Sequence, residues 1–331
     1  MSRQATEQEG PFVAVVTPFY NSADALERCI ESVLAQTYTR FEYILADNCS
    51  DDGSGVIAKR LAALDARIRY VRFSEHLPQG ENYNRALRQI SSGARYCKIV
   101  QADDFLFPPC LEEMVKLAQL HPTAGVIGAA REVGDQLDPQ DWETVAMFCS
   151  GKEICQATLR GEIYAFGSPT SVMYRADLVQ ARDEFFRRNA FFDDTDVVFD
   201  LLKESDFAFC RHVLTHTSRD PKSMFGRVCS YDIGLLYRFM TAERIGDVFF
   251  LPAELAAVRK GLSVAYYERL VGALTKRSDR LAYLNFHRSV LRDSATIRIS
   301  PAQLVRAVAR KTARTLAKRG ILAPFRAQAS P

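Results

Sequence analysis

Arg95-Tyr96-Cys97-Lys98-Ile99-Val100-Gln101-Ala102-Asp103-Asp104 is a strand-like, largely apolar run that leads straight into two adjacent carboxylates. Aspartate is depleted in strands and is rarely buried without a partner. A pair of them where a strand ends therefore reads as a site for a hard cation. One or two carboxylates would hold Mg²⁺ or Mn²⁺, and phosphate oxygens would complete its shell. An isolated Asp-Asp can equally be a polar turn, so the reading depends on what surrounds it.

Upstream, residues 12–17 form a short apolar strand ended by Pro18-Phe19-Tyr20-Asn21-Ser22, and Leu26, Ile30, Val33 and Leu34 then recur at helical spacing. Residues 43–46 form a second strand. It runs into Asp47-Asn48-Cys49-Ser50-Asp51-Asp52-Gly53-Ser54, a loop rich in turn formers. A helix over 55–64, a strand over 68–73, a helix over 81–90, the strand at 96–100, a helix over 111–120 and a strand over 125–130 follow. Strands alternating with ten-residue helices predict a parallel sheet covered on both faces. Ligands of such sheets bind beyond the carboxyl ends of the strands. Tyr20-Asn21, Asp47-Asn48 and Asp103-Asp104 all fall at those ends.

Periodicity is weak from 135 to 165. Residues 165–170 read as a turn, 171–174 as a strand, 189–196 as an acidic, aromatic loop and 197–203 as the start of a helix. Beyond 226 almost everything reads as helix.

Composition sets the outer bounds. The 331 residues are 47% apolar and 25% charged with a net charge of +3, which suits a globular protein and gives no argument for nucleic acid. Eight cysteines form no Cys-x-x-Cys pair, so they read as reduced thiols of a cytoplasmic protein. The polar first residues lack a secretory apolar segment. No run is long and apolar enough to span a bilayer.

Taken together, these residues resemble the family 2 glycosyltransferases over roughly residues 11–225. Pro18-Phe19-Tyr20-Asn21 is similar to that family's first-strand motif, and 47–54 to its Asp-Asp/Asn-x-Ser-x-Asp-Gly-Ser loop. Asn84 with Ala86-Leu87 matches the helix before the fourth strand. Asp103-Asp104 with Pro108 sits at the Asp-x-Asp motif, and Asp193-Asp194-Thr195-Asp196 resembles the later Glu-Asp-x-Asp segment.

The resemblance implies an α/β fold of GT-A type, with a mostly parallel sheet covered by helices and a helical C-terminal extension. It implies an inverting, metal-dependent transfer of a sugar from a nucleotide diphosphate to an acceptor hydroxyl, in cell-surface glycan or polysaccharide assembly. The domain expectation is a nucleotide-binding half over 11–110, an acceptor half over 111–225 and a helical region over 226–331. Pro18, Tyr20, Asp47, Asn48, Asn84 and Asp103 are expected at the nucleotide, Asp103 and Asp104 at Mg²⁺ or Mn²⁺, and Asp194 as the general base. Gly167, Ser168, Asp193 and Asp196 are expected around the acceptor.

Two departures matter. Gln101 stands where the metal motif has its first Asp, and Asn48 where the loop has its second. Asn48 tolerates uracil or thymine but lacks the carboxylate that would bind guanine by a charge-assisted bond, which favours UDP or dTDP. A degenerate relative that binds nucleotide or glycan without turnover is the competing reading. His216 and Arg219, with Pro221 and Gly226 nearby, read as a solvated loop, the alternative being a loop that closes on the diphosphate.

After Asp293 no acidic residue remains. Over 303–319, Leu304, Val305, Val308, Thr312 and Leu316 share one helical face, and Arg306, Arg310 and Arg314 another. Gly320 would end this helix. A basic amphipathic helix suits an anionic membrane surface, and hence a lipid-linked acceptor.

Overall fold

In the computed structural model the chain divides into two compact units, Met1–Arg219 and Asp220–Pro331. The structure describes residues 10–138, 142–187, 193–219, 231–292 and 297–318.

In the first unit β1 (Val13–Phe19), α1 (Ala23–Leu34), β2 (Phe41–Asp47), α2 (Ser54–Ala62), β3 (Ile68–Arg72), α3 (Gln79–Leu87) and β4 (Tyr96–Ile99) alternate as expected. β5 (Phe105–Leu106), α4 (Cys110–Leu120), β6 (Ala124–Val133), β7 (Gln136–Asp138), β8 (Phe148–Cys149) and α5 (Gly151–Arg160) follow. β9 (Val172–Arg175), α6 (Ala176–Gln180), α7 (Asp193–Leu201) and β10 (Asp206–Thr217) complete the unit. The sheet order is β3-β2-β1-β4-β9-β6-β10-β5, with β7 on β6 and β8 on β10.

β1 through β4 pair in parallel, as do β6 and β10. β9 lies antiparallel between β4 and β6. The sheet is therefore mostly parallel with antiparallel insertions, the GT-A pattern. β1 is buried at every position, as a strand covered on both faces must be. α1 presents Leu26, Cys29, Ile30 and Val33 to it. Each large aliphatic side chain buried there contributes about 1.5–3 kcal/mol.

The structure departs from expectation in three places. The weak stretch holds α5, started by a capping box in which Ser150 Oγ accepts from Glu153 N (3.2 Å) and Glu153 Oε2 accepts from Ser150 N (2.9 Å). α7 begins at Asp193, so the acidic residues form its first turn instead of a preceding loop. β10 was not expected, and it carries His216, which is a strand residue and not part of a loop. Long-range pairing with β6 builds β10, and local pattern does not report that. Pro221, Gly226 and Gly320 lie outside the described residues.

The second unit is helical: α8 (Ile233–Phe249), α9 (Pro252–Lys276), α10 (Arg280–Leu291) and α11 (Pro301–Lys318). Leu236, Tyr266, Leu270 and Tyr283 are among its fully buried side chains. α11 buries Ala307 and fixes Arg310 and Arg314 on Glu268 of α9 (3.2 and 2.7 Å). Two of the expected membrane-facing arginines are thus neutralised within the unit, while Val305 and Val308 stay exposed.

Candidate active site

Parallel pairing sets Phe19 beside Asp47 and Val16 beside Ile99, so the ends of β1, β2 and β4 form one rim. Tyr20 at this rim is 44% exposed, and its ring lies 4.3 Å from that of His76. Two aromatic faces therefore meet at the mouth of the site. His76 was given no role from sequence.

The loop after β2 is braced from within. Asp47 is fully buried: Oδ1 accepts from Ser50 N (2.8 Å), and Oδ2 from Tyr70 Oη (2.7 Å) and Arg72 Nη1 (2.9 Å). Asn48 closes its amide on the Leu77 backbone, donating to the carbonyl (2.8 Å) and accepting from the N–H (3.0 Å), while Arg85 Nη2 adds a third bond at 2.7 Å. Asn21 and Asp51 bond reciprocally at 2.9 and 3.0 Å, and Asp52 Oδ2 accepts from Ala23 N (2.9 Å) at the start of α1. Asn84 likewise closes its amide on the Phe186 backbone, at 2.7 Å in both directions. Asp47, Asn48 and Asn84 shape the walls of the site without offering an unengaged polar edge.

Asp103 is exposed and Asp104 buried. Asp104 Oδ2 accepts from Thr170 Oγ1 (2.5 Å) and Oδ1 from Ser218 N (2.9 Å). Burial, reinforced by the neighbouring charge of Asp103, pushes its carboxyl up to about 7. Two adjacent carboxylates, one of them buried against a like charge, form a donor set that a hard divalent cation would relieve, and the all-oxygen chemistry fits Mg²⁺ or Mn²⁺. Gln101 does not enter that set: its amide reaches Tyr83 Oη at 3.4 Å, and its backbone N–H is held by Thr170 Oγ1 at 3.0 Å.

Thr170 is held in turn by Lys98. This fully buried lysine donates to the carbonyls of Thr170 and Val172 (the latter 3.1 Å), and burial lowers its ammonium to about 8. Residues 168–171 thus form a polar turn under Asp104. Ser168 Oγ lies 3.2 Å from Thr217 Oγ1. Gly167 has φ +66°, and a Cβ there would come within 2.0 Å of Ser171 Oγ and 3.4 Å of Arg131 Cζ.

On the other side, the first turn of α7 carries Asp193, Asp194 and Asp196. Asp194 Oδ1 accepts from Thr195 N at 2.7 Å. Among the described residues its Oδ2 is left for another donor. Burial raises the Asp194 carboxyl, and the charge of Arg131 opposes this. Asp193 is pushed up to about 7 by burial and by Asp194. A Cβ on Gly80 would sit 3.2 Å from Asp193 Oδ2, which places that carboxylate at the start of α3. Asp196 is buried. Tyr164 Oη bridges Thr195 Oγ1 (3.1 Å) and the Gly167 carbonyl (3.2 Å), tying the helix to the turn.

Arg131 is the residue that sequence reading missed. It is buried on β6, bonded through Nε and Nη2 to Asp138 Oδ2 (3.0 and 2.6 Å), and its charge acts on both Asp104 and Asp194. An arginine within the apolar run of β6, and a lysine within that of β4, were the available signals.

Around the outer rim, Arg28 lies over Phe105 (4.9 Å) and donates to the Asp103 carbonyl (3.3 Å). His216 stacks on Phe105 with ring centroids 4.4 Å apart, and its Nδ1 lies 3.4 Å from Glu132 Oε2. The charge of one arginine, Arg131, thus acts on both the acidic pair and the first turn of α7.

The class that this fold and site define is matched by comparison. The pattern of Glycosyl transferase family 2 covers residues 14–182. The chain belongs to that family of glycosyltransferase enzymes. It is 35% identical over 94 residues to the proposed teichuronic acid biosynthesis glycosyltransferase TuaG of Bacillus subtilis, covering 28% of this chain and 36% of that protein. It is 31% identical over 116 residues to glycosyltransferase GlyG of Streptococcus pneumoniae, covering 35% and 38%. The match thus spans less than half the length of either relative.

Among solved structures, S. aureus TarS 1–349 aligns with TM-score 0.58 at 15% identity, covering 90% of this chain and 79% of that one. The mannosyltransferase PcManGT of Pyrobaculum calidifontis, in complex with GDP-Man and Mn²⁺, aligns with TM-score 0.56 at 16% identity, covering 92% and 88%. These likenesses establish the GT-A fold. No helix among the described residues is long and apolar enough to cross a membrane.

Proposed function

We propose that this chain transfers a sugar from a nucleotide-diphosphate sugar to an acceptor hydroxyl with inversion, with Asp194 as general base. The observation that supports this reading is that the buried Arg131 lies against the Gly167 turn, which Tyr164 ties to α7 and Thr170 ties to Asp104, and that its charge acts on both Asp104 and Asp194. A donor held at the rim would have its anomeric carbon face α7.

The acceptor O–H gives its proton to Asp194 Oδ2 while its oxygen bonds to the anomeric carbon from the opposite face. The carbon–phosphate oxygen bond breaks, and the nucleoside diphosphate leaves with the electron pair. Burial raises the Asp194 carboxyl, which strengthens it as a base, while the Thr195 N–H and the charge of Arg131 oppose that rise. Asp103 and Asp104 would hold Mg²⁺ or Mn²⁺, whose contribution when bound is to neutralise charge on the leaving diphosphate. Arg28 supplies a further positive group at that rim, with His216 stacked on Phe105 beside it, and Tyr20 with His76 gives the base a surface to stack on. Gly167, Ser168, Asp193 and Asp196 surround the acceptor side.

UDP or dTDP is favoured over GDP because, at the end of β2, Asp47 is fully engaged and Asn48 is an amide, so neither offers guanine a free carboxylate. The complexes known for fold neighbours include both UDP-GlcNAc and GDP-Man, so they do not choose. The relative linked to teichuronic acid supports a cell-surface polysaccharide, or a lipid-linked precursor, as acceptor. The exposed Val305 and Val308 with Arg306 on α11 give a peripheral contact for an anionic membrane. The test is thermal stability against UDP, dTDP, GDP and CMP, each with and without Mn²⁺. A metal-dependent rise with UDP or dTDP supports the reading. A nucleotide shift without turnover of any sugar donor favours the non-catalytic relative.

A further inference from the structure

A second cluster of metal-ligating side chains lies away from this site. Glu113 is in the first turns of α4, and Cys210 and His212 are on β10. One carboxylate oxygen, the thiol sulfur and one imidazole nitrogen all lie within 4.8 Å of one another. Glu113 Oε2 is 3.5 Å from His212 Nδ1.

The backbone builds this arrangement. β10 pairs with β6 so that Cys210 faces Ala129 and Val213 faces Ala130, leaving Arg211 and His212 as extra residues in the register. Such bulges re-aim side chains. Here Arg211 turns to the Val145 carbonyl (3.0 and 2.8 Å from Nε and Nη2), while Cys210 and His212 converge on Glu113.

We propose that Glu113, Cys210 and His212 form a zinc site with its fourth position open to water. Sulfur, imidazole nitrogen and carboxylate oxygen are the donors zinc takes, at about 2.0–2.3 Å in tetrahedral geometry. Such bonds separate the ligand atoms by about 3.3–3.8 Å, so a span of at most 4.8 Å closes by small side-chain movements. His212 is 72% exposed and free to make them. Cys210 is buried, and burial, with Glu113 adding to it, raises its thiol. Zinc takes the thiolate, so binding releases one proton to water.

The competing arrangement is an ion pair of Glu113 with protonated His212, since Glu113 also approaches Lys116 at 3.9 Å, beside an inert core thiol. The cluster is distinct from Asp103 and Asp104. Five strand residues separate His212 from Ser218, whose N–H holds Asp104, so the two positions are six steps or roughly 20 Å of extended chain apart. Zinc here would pin the bulge of β10 to α4, upstream of the strand end that supports the candidate active site.

The full-length protein, stripped by chelator, would be titrated with Co²⁺ and then Zn²⁺. One equivalent of Co²⁺ is expected to give the intense near-ultraviolet absorption of a thiolate–metal bond, displaced by Zn²⁺. Cys210→Ser abolishes it, and His212→Ala weakens binding at least about tenfold. Asp104→Asn leaves it intact. Absence of the band, or its survival in Cys210→Ser through another thiol such as the partly exposed Cys49, overturns the site. Because His212 is exposed, His212→Ala decides the question even if Cys210→Ser fails to fold; unchanged Co²⁺ affinity in that variant also overturns it.

Discussion

Replacing Asp104 by Asn tests whether the acidic pair is a cation site held at an energetic cost by the apo protein. In the unfolded chain this aspartate titrates near 4, and in the folded chain at about 7. Between those values the folded state holds a proton that the unfolded state has released. Unfolding free energy therefore falls as pH rises through that window. At about 1.4 kcal/mol per pH unit, a span of roughly three units corresponds to about 4 kcal/mol lost between pH 4 and pH 7. Asn cannot ionise. Its carbonyl can still accept from Ser218 N–H, and its NH₂ can face Thr170 Oγ1, so the fold is retained.

The assay is urea unfolding in EDTA from pH 4.5 to 8. Wild type is expected to lose stability with rising pH by on the order of 4 kcal/mol more than Asp104→Asn, with Asp193 contributing equally to both. Saturating Mn²⁺ at pH 8 should restore the wild type, by about 2.7 kcal/mol at a hundredfold excess over Kd, and leave the variant unchanged. Parallel pH curves in EDTA, or equal Mn²⁺ stabilisation of both proteins, would refute the reasoning.

Asp194→Asn should keep donor binding by calorimetry and lose transfer by about 10²–10⁴-fold; unchanged turnover would exclude Asp194 as base. Arg131→Met removes the charge that opposes the upward shift of Asp194. The acidic limb of the kcat–pH profile, where activity rises as the base ionises, should therefore move to higher pH; an unmoved limb would refute the role of Arg131. Gly167→Ala forces a Cβ into Ser171 at positive φ and should cost about 1–3 kcal/mol in urea unfolding. Val308→Asp with Arg306→Glu should release the protein from phosphatidylserine vesicles while leaving turnover of a water-soluble acceptor intact; equal vesicle binding would remove the membrane role.

Local pattern made the β1–α1–β2–α2–β3–α3–β4 alternation legible, because each element buries a face whose period shows in the chain. The rim followed, since parallel strands bring their carboxyl ends together. Tyr20-Asn21, Asp47-Asn48 and Asp103-Asp104 were therefore readable as one rim in the linear sequence. The insertion of β9 between β4 and β6, and β10 itself, were not legible. Both depend on pairing between residues far apart in sequence, which no local period records.

Roles within the site divide the same way. Residue type and spacing were enough for the family and for the strand-end positions of Asp47, Asn48, Asp103 and Asp104, whereas the acidic run at 193–196 read as a loop and became the first turn of α7. Only the tertiary structure decided that Asp47, Asn48 and Asn84 are engaged by backbone and side-chain partners. Long-range packing also brought Lys98 under Thr170 and let the charge of Arg131 act on both Asp104 and Asp194. A side chain's type and spacing are local properties, whereas hydrogen-bond partners and the charge a carboxylate feels arise from groups that meet only when the sheet closes.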